Sequence, residues 1–104
     1  MKHLRPYFKT LCEDHRLEII GLLMEREHCV CELIDKLNLS QATVSYHVKK
    51  LSDAGLIQCR QLGKSTYCSL DKQGFEKYHT MLHERLFKPV AHAEPGKSSM
   101  NCKQ

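Results

Sequence analysis

Apolar residues recur along the first half of the chain at helical spacing. After a short amphipathic start carrying Leu4, Tyr7, Phe8 and Leu11, the run from Asp14 to Met24 sets Leu17, Ile20, Leu23 and Met24 on one face. That is the pattern of a helix packed against a core. Val30, Leu33, Ile34 and Leu37 then recur at i, i+3, i+4 and i+7, which predicts a short helix over about residues 30–37, interrupted at Asn38-Leu39. Ser40 stands where a hydroxyl can cap the next helix by accepting an orphan backbone N–H. That helix is expected to run to about Asp53 with a narrow apolar stripe of Val44, Val48 and Leu51, and Gly55 suits the left-handed position just past its end. Its opposite side carries Gln41, Thr43, Ser45, His47, Lys49 and Lys50, short polar and basic groups without a carboxylate among them. Such a face is either plainly solvated or turned toward a polyanion, and the missing acid favours the second.

The pattern changes after Gly55. Leu56 to Leu62 and Ser65 to Leu70 read as two strands around Gly63-Lys64, a two-residue turn with glycine first, as type II′ prefers. With those two residues as the loop, Ile57 faces Leu70, Cys59 faces Cys68 and Gln61 faces Thr66, while Arg60 pairs with Tyr67 and Gln58 with Ser69. One side is mostly apolar and the other polar, consistent with a hairpin packed on one side. Asp71 can cap a last helix with a stripe of Phe75, Tyr78, His79, Leu82 and Leu86, which Pro89 is expected to end. The reading is therefore one domain over residues 1–88 and a flexible tail over 89–104, where Pro95, Gly96 and Ser98-Ser99 cluster.

Composition narrows the functions. A chain of 104 residues suits one small core. Hydrophobic residues at 41% and charged residues at 27% exclude a disordered tail or a coiled coil. No run approaches the roughly 18 apolar residues that span a bilayer. The start Met1-Lys2-His3-Leu4-Arg5-Pro6 has no apolar run behind it to act as a signal peptide, so a cytoplasmic protein is expected. There is no Gly-rich phosphate loop, no H-E-x-x-H and no nucleophile elbow, so an enzyme is not expected. A net charge of +4 permits nucleic-acid binding.

Helix, helix, short helix, tight turn, polar helix, hairpin, helix is the order of a winged helix-turn-helix, a mainly α fold of the α+β class. Its polar helix would read a major groove, and a basic hairpin tip (Arg60, Lys64) would lie on phosphates. The stretches Phe8-Lys9-Thr10-Leu11 through Arg16-Leu17-Glu18-Ile19-Ile20, Cys29-Val30-Cys31-Glu32-Leu33, and Leu39-Ser40-Gln41-Ala42-Thr43-Val44-Ser45-Tyr46-His47-Val48-Lys49-Lys50-Leu51, ending in Ala54-Gly55-Leu56-Ile57, carry a resemblance. Over roughly residues 4–87 the chain resembles the ArsR/SmtB family of metal-sensing repressors. The resemblance implies a homodimer joined by its first and last helices, the last acting as a C-terminal dimerisation helix, on double-stranded operator DNA with an imperfect palindrome. It assigns Ser40, Gln41, Thr43, Ser45 and His47 to DNA contacts. Gln41 can pair an adenine edge, and Lys50, Arg60 and Lys64 would add salt-dependent phosphate affinity. For Ser40, capping alone is the competing role.

Six cysteines, Cys12, Cys29, Cys31, Cys59, Cys68 and Cys102, are the unusual feature of the composition. In a reducing compartment they point to metal binding, redox sensing or buried thiols. Cys29-Val30-Cys31 stands where the family carries its C-V-C element, at a helix start that favours thiolates. Two thiols one residue apart can chelate one soft ion. In ideal helical geometry they do not share a face, so binding is expected to distort the first turn and, through it, the reader helix. The resemblance implies arsenite or antimonite as inducer, with cadmium or lead as the alternative, and no cofactor for DNA binding.

The chain departs from the arsenic pattern at Ile34, where a third cysteine often follows, and at His28, where leucine is usual. Cys102 is the expected third ligand, with Cys12 or a water as alternatives. Cys59 and Cys68 are open between a second site, a redox pair and small apolar core residues. A same-fold repressor that senses oxidants or reactive sulfur by joining two cysteines is the second function carried forward. Some relatives hold zinc between their last helices, but Leu70-Asp71-Lys72-Gln73-Gly74 lacks half of such a site, so His79 (with His83 at i+4) is expected at an interface instead.

Overall fold

Four helices of the computed structural model, which describes residues 4–93, begin at a residue whose side chain accepts a backbone N–H from the first turn. The elements are α1 (Arg5–Leu11), α2 (Asp14–Glu25), β1 (His28–Cys29), α3 (Val30–Leu37), α4 (Gln41–Asp53), β2 (Ile57–Leu62), β3 (Ser65–Leu70), α5 (Lys72–Leu82), a π-helical turn (His83–Phe87) and α6 (Lys88–His92). Glu13, Cys29, Ser40 and Asp71 are the caps of α2, α3, α4 and α5. Asn38 closes α3 in the left-handed region at φ 56°, and Gly55 does the same past α4 at φ 79°. The Leu56 N–H then reaches back to the Leu51 carbonyl at 3.1 Å, the long bond of a Schellman closure.

The hairpin adopts the register expected from the sequence, from Ile57↔Leu70 through Cys59↔Cys68 to Leu62↔Ser65, with Gly63 at φ 65° in the turn. A third strand joins it. β1 pairs with β3, placing His28 opposite Cys68 and Cys29 opposite Tyr67, so the antiparallel sheet runs β1-β3-β2. Two residues are too few for periodicity to reveal, and this strand had no signal of its own.

The core gathers Ile19, Ile20 and Leu23 from α2, Leu33 from α3, Val44, Val48 and Leu51 from α4, and Leu56, Ile57 and Cys68 from the wing side. Each fully buried Leu or Ile among them contributes about 1.5–3 kcal/mol relative to solvent exposure. Two positions of the expected α2 face are corrected: Leu17 is 51% and Met24 69% exposed, while Ile19 is fully buried. α2 packs against α3, α4 and β3 together, which turns its buried face toward Ile19 and leaves the flank of the stripe outside.

α5 enters close over the α4–β2 corner, where a Cβ on Gly74 would collide with the Gly55 carbonyl oxygen. Pro89 does not end the last helix, contrary to the expectation. It falls in the first turn of α6, where a missing N–H has no helical partner to lose, and the π-helical turn before it carries the chain through. Two helices joined by a tight turn, followed by a twisted hairpin, make the architecture a winged helix-turn-helix.

Candidate DNA-reading face and thiol site

α4 is positioned from both ends. The Ser40 hydroxyl accepts the Thr43 N–H at 3.1 Å and donates to Thr43 Oγ1 at 2.9 Å, so its capping role is visible directly. Gln41, Ser45, Lys49 and Lys50 are exposed and Thr43 is half-buried. Lys50 lies 5.5 Å from the Tyr46 ring centroid, and Lys49 pairs with Asp53 at 3.4 Å.

His47 is the exception. Expected on the polar side of α4, it is only 7% exposed. Val44, His47, Val48 and Leu51 are all buried and recur at i, i+3, i+4 and i+7, so His47 belongs to the apolar stripe. The periodicity carried this signal, and residue type obscured it. Its Nδ1 accepts from Arg16 Nε at 3.2 Å and lies 3.9 Å from Glu13 Oε1. Burial depresses the imidazole's pKa, Arg16 and His15 add to the effect, and Glu13 opposes it.

The wing also differs from expectation. Arg60 is not at the hairpin tip but within β2, opposite Tyr67, and its guanidinium grips both Glu27 carboxylate oxygens at 3.1 and 2.7 Å. Its charge is therefore matched inside the protomer. Lys64, exposed in the turn, occupies the tip.

Cys29 is the N-cap of α3, extended at φ −80°, ψ 159°, and its Sγ accepts the Glu32 N–H at 3.4 Å. Glu32 answers by accepting the Cys29 N–H at 3.0 Å, which completes a capping box. Arg26 holds the same carboxylate at 2.7 Å, and this bond, with the Cys29 N–H, lowers the Glu32 pKa to about 2. His28 beside it is buried, with Nδ1 2.9 Å from the Arg26 carbonyl oxygen.

Cys29 and Cys31 are joined as a disulfide with Cα atoms 5.3 Å apart. The premise that both cysteines sit in ideal helical geometry on different faces is thus corrected. Cys29 is outside the helix in extended backbone, so its sulfur reaches Cys31 with the turn intact. The pair opens into a cavity of about 200 Å³ lined also by Ile34, Gln41, Lys64 and Thr66. The thiol pair, the first residue of α4 and the wing turn therefore share one cleft.

Cys102 lies outside the described residues. Cys12 is exposed just past α1, and among the described residues of one protomer no three His, Cys, Asp or Glu side chains converge on one point. Once the bond is reduced, these two sulfurs of Cys29 and Cys31 are soft thiolate donors beside an open cleft, which suits a thiophilic ion.

In the wing, Cys59 and Cys68 face each other with sulfurs 3.5 Å apart. Cys68 is fully buried, and burial, with Cys59 next to it, pushes its pKa up to about 12; Cys59 is exposed. Only one of the two is a core residue. His79 and His83 are both exposed.

The model of the family described as "Bacterial regulatory protein, arsR family" matches residues 13–58, from the cap of α2 to the start of β2. The chain is 40% identical over 83 residues to a cadmium resistance transcriptional regulatory protein CadC homolog of Staphylococcus aureus, covering 75% of this chain and 67% of that one. It is 38% identical over 87 residues to the arsenical resistance operon repressor of Bacillus subtilis (strain 168), covering 80% of each. Among solved structures it is similar to a possible transcriptional regulator for arsenical resistance, with a TM-score of 0.68 and 27% identity over 85% of this chain and 96% of that one.

Proposed function

This chain belongs to the ArsR family of bacterial transcriptional repressors, and on that premise we propose that it leaves its operator when a soft metal(loid) ion binds the Cys29 and Cys31 thiolates. The observation that carries the reading is the shared cleft: the two sulfurs, Gln41 and Lys64 line one cavity of about 200 Å³. Gln41, Thr43 and Ser45 present amide and hydroxyl groups to base edges, Ser40 caps their helix, and Lys50 and Lys64 bind phosphates. Arg60 contributes less, because Glu27 already neutralises it. A homodimer places two such faces on an imperfect palindrome in the cytoplasm.

An ion taken up by the reduced pair fills the cleft between the start of α4 and the wing turn. Those two elements then no longer hold their DNA-competent spacing. Arsenite or antimonite is the inducer favoured by thiol-only ligation, with Cys102 as third donor, and cadmium or lead is the alternative. The similarity to both an arsenical and a cadmium resistance regulator supports keeping both.

The bonded Cys29–Cys31 pair favours a second reading, in which oxidation of thiols is the signal. Binding of a fluorescent operator duplex separates the two. Under strong reductant, arsenite weakens wild-type binding by about 5- to 150-fold, the range of ordinary allosteric coupling. Cys29→Ser/Cys31→Ser binds DNA and ignores the ion. A double variant that still responds overturns the site, and release by oxidant alone, reversed by reductant, selects the second reading.

A further inference from the structure

His47 has a task in the fold that its removal from the DNA-contacting face leaves to be named. Arg16, in the first turn of α2, donates from Nε to His47 Nδ1 at 3.2 Å and from Nη1 to the Thr10 carbonyl at 3.2 Å. Its guanidinium carbon also lies 5.7 Å from the Tyr46 ring centroid. One side chain thus ties the last turn of α1, the first turn of α2 and the middle of α4. Among the described residues, no other side-chain hydrogen bond joins α2 to α4. The rest of that contact is apolar packing with the Arg16–Tyr46 and His15–His47 ring contacts, which resist separation but set rotation less sharply than a hydrogen bond does. A hydrogen bond has one.

We infer that His47 is a positioning residue for DNA reading: as a neutral acceptor for Arg16 it fixes the rotation of α4 against the α1–α2 frame, so that Gln41 and Ser45 face the groove together. The inference rests on α4 being the reader. It also explains why a histidine occupies an otherwise apolar stripe, since Arg16 needs an acceptor there.

Protonation removes that acceptor. The imidazolium directs an N–H at the Arg16 N–H and sets a second positive charge beside the guanidinium. Around the ring, α2 contributes Glu13 at 3.9 Å, His15 with its ring centroid 5.8 Å away, and Arg16 itself. α4 contributes Tyr46, and α1 and α4 bring Lys9 and Lys50 to the rim of the adjoining pocket. Glu13 is the single anion among them, opposed by burial and the cations, and the imidazole pKa is depressed. The aligned state is therefore present at neutral pH and above and is lost as pH falls below the ordinary histidine range.

The test is operator binding by the full reduced chain at about pH 8 and about pH 5.5, with thermal unfolding recorded for each variant. Wild type loses several-fold in affinity at the lower pH, less than about ten-fold because the depressed imidazole is protonated there only in part. His47→Asn, whose Oδ1 can stand where Nδ1 does, binds nearly as well as wild type at the higher pH and loses distinctly less on acidification. His47→Leu loses about ten-fold at the higher pH. Arg16→Gln, which leaves the imidazole in place, loses as much and decides the matter if the leucine variant does not fold. Wild-type affinity in His47→Leu or Arg16→Gln, or a pH profile in His47→Asn that matches wild type, overturns the inference. A wild type that binds no operator at either pH overturns the DNA-reading premise instead, and that arm shows it separately.

Discussion

Glu32 shows how much chemistry one side chain can hold at the thiol site. It caps α3 through the Cys29 N–H, accepts from Arg26, and its pKa falls to about 2. A depressed carboxylate pKa stabilises the fold above the ordinary carboxylate range, and that contribution is lost as pH falls toward about 2. Arg26→Ala removes the larger cause, so an NMR titration is expected to show the Glu32 pKa rising toward 4.5; a value that stays near 2 overturns the assignment. Other residues were legible to different degrees. Ser40, Gly55 and Asp71 could be placed from the sequence, because caps and left-handed positions depend on near neighbours. Arg60 could not, since Glu27, its partner, is 33 positions away.

The elements that set the reading geometry are α3, the tight turn and α4. Ser40 sits at their junction, and its hydroxyl both caps α4 and faces solvent. Substitution can separate capping from DNA contact. Ser40→Ala is expected to cost about 1 kcal/mol in chemical denaturation and Ser40→Gly only a few tenths. A glycine variant of near-native stability that nevertheless loses operator affinity assigns the hydroxyl to DNA as well; unchanged affinity leaves capping as its whole role. Helices longer than two turns were readable because their stripes repeat. β1 was not, being two residues paired with a distant strand, and Pro89 misled because its effect depends on where in a helical turn it falls.

At the scale of the molecule, the described residues are elongated, 61 × 29 × 24 Å, and expose Phe8, Leu17, Met24, Phe87 and Val90. Large apolar side chains left outside in this number ask for a covering surface, and in the proposed homodimer joined through the first and last helices a second copy would cover Phe8, Phe87 and Val90. Sedimentation of Phe87→Glu is expected to show a dimer at least ten-fold weaker than wild type, with operator affinity falling alongside it. A variant that stays as dimeric as wild type removes α6 and the π-helical turn from the interface. No helix among the described residues is long and apolar enough to cross a membrane.

The Ser40 and Asp71 caps, the left-handed Gly55, the hairpin register and the C-V-C spacing were determined by the sequence alone, because each depends on local backbone geometry or on a strict short period. The tertiary structure decided which polar groups were free. It buried His47 against Arg16, engaged Arg60 with Glu27, and brought Cys29, Cys31, Gln41 and Lys64 around one cleft. Those outcomes depend on elements distant in the chain meeting in space, and no local pattern records that.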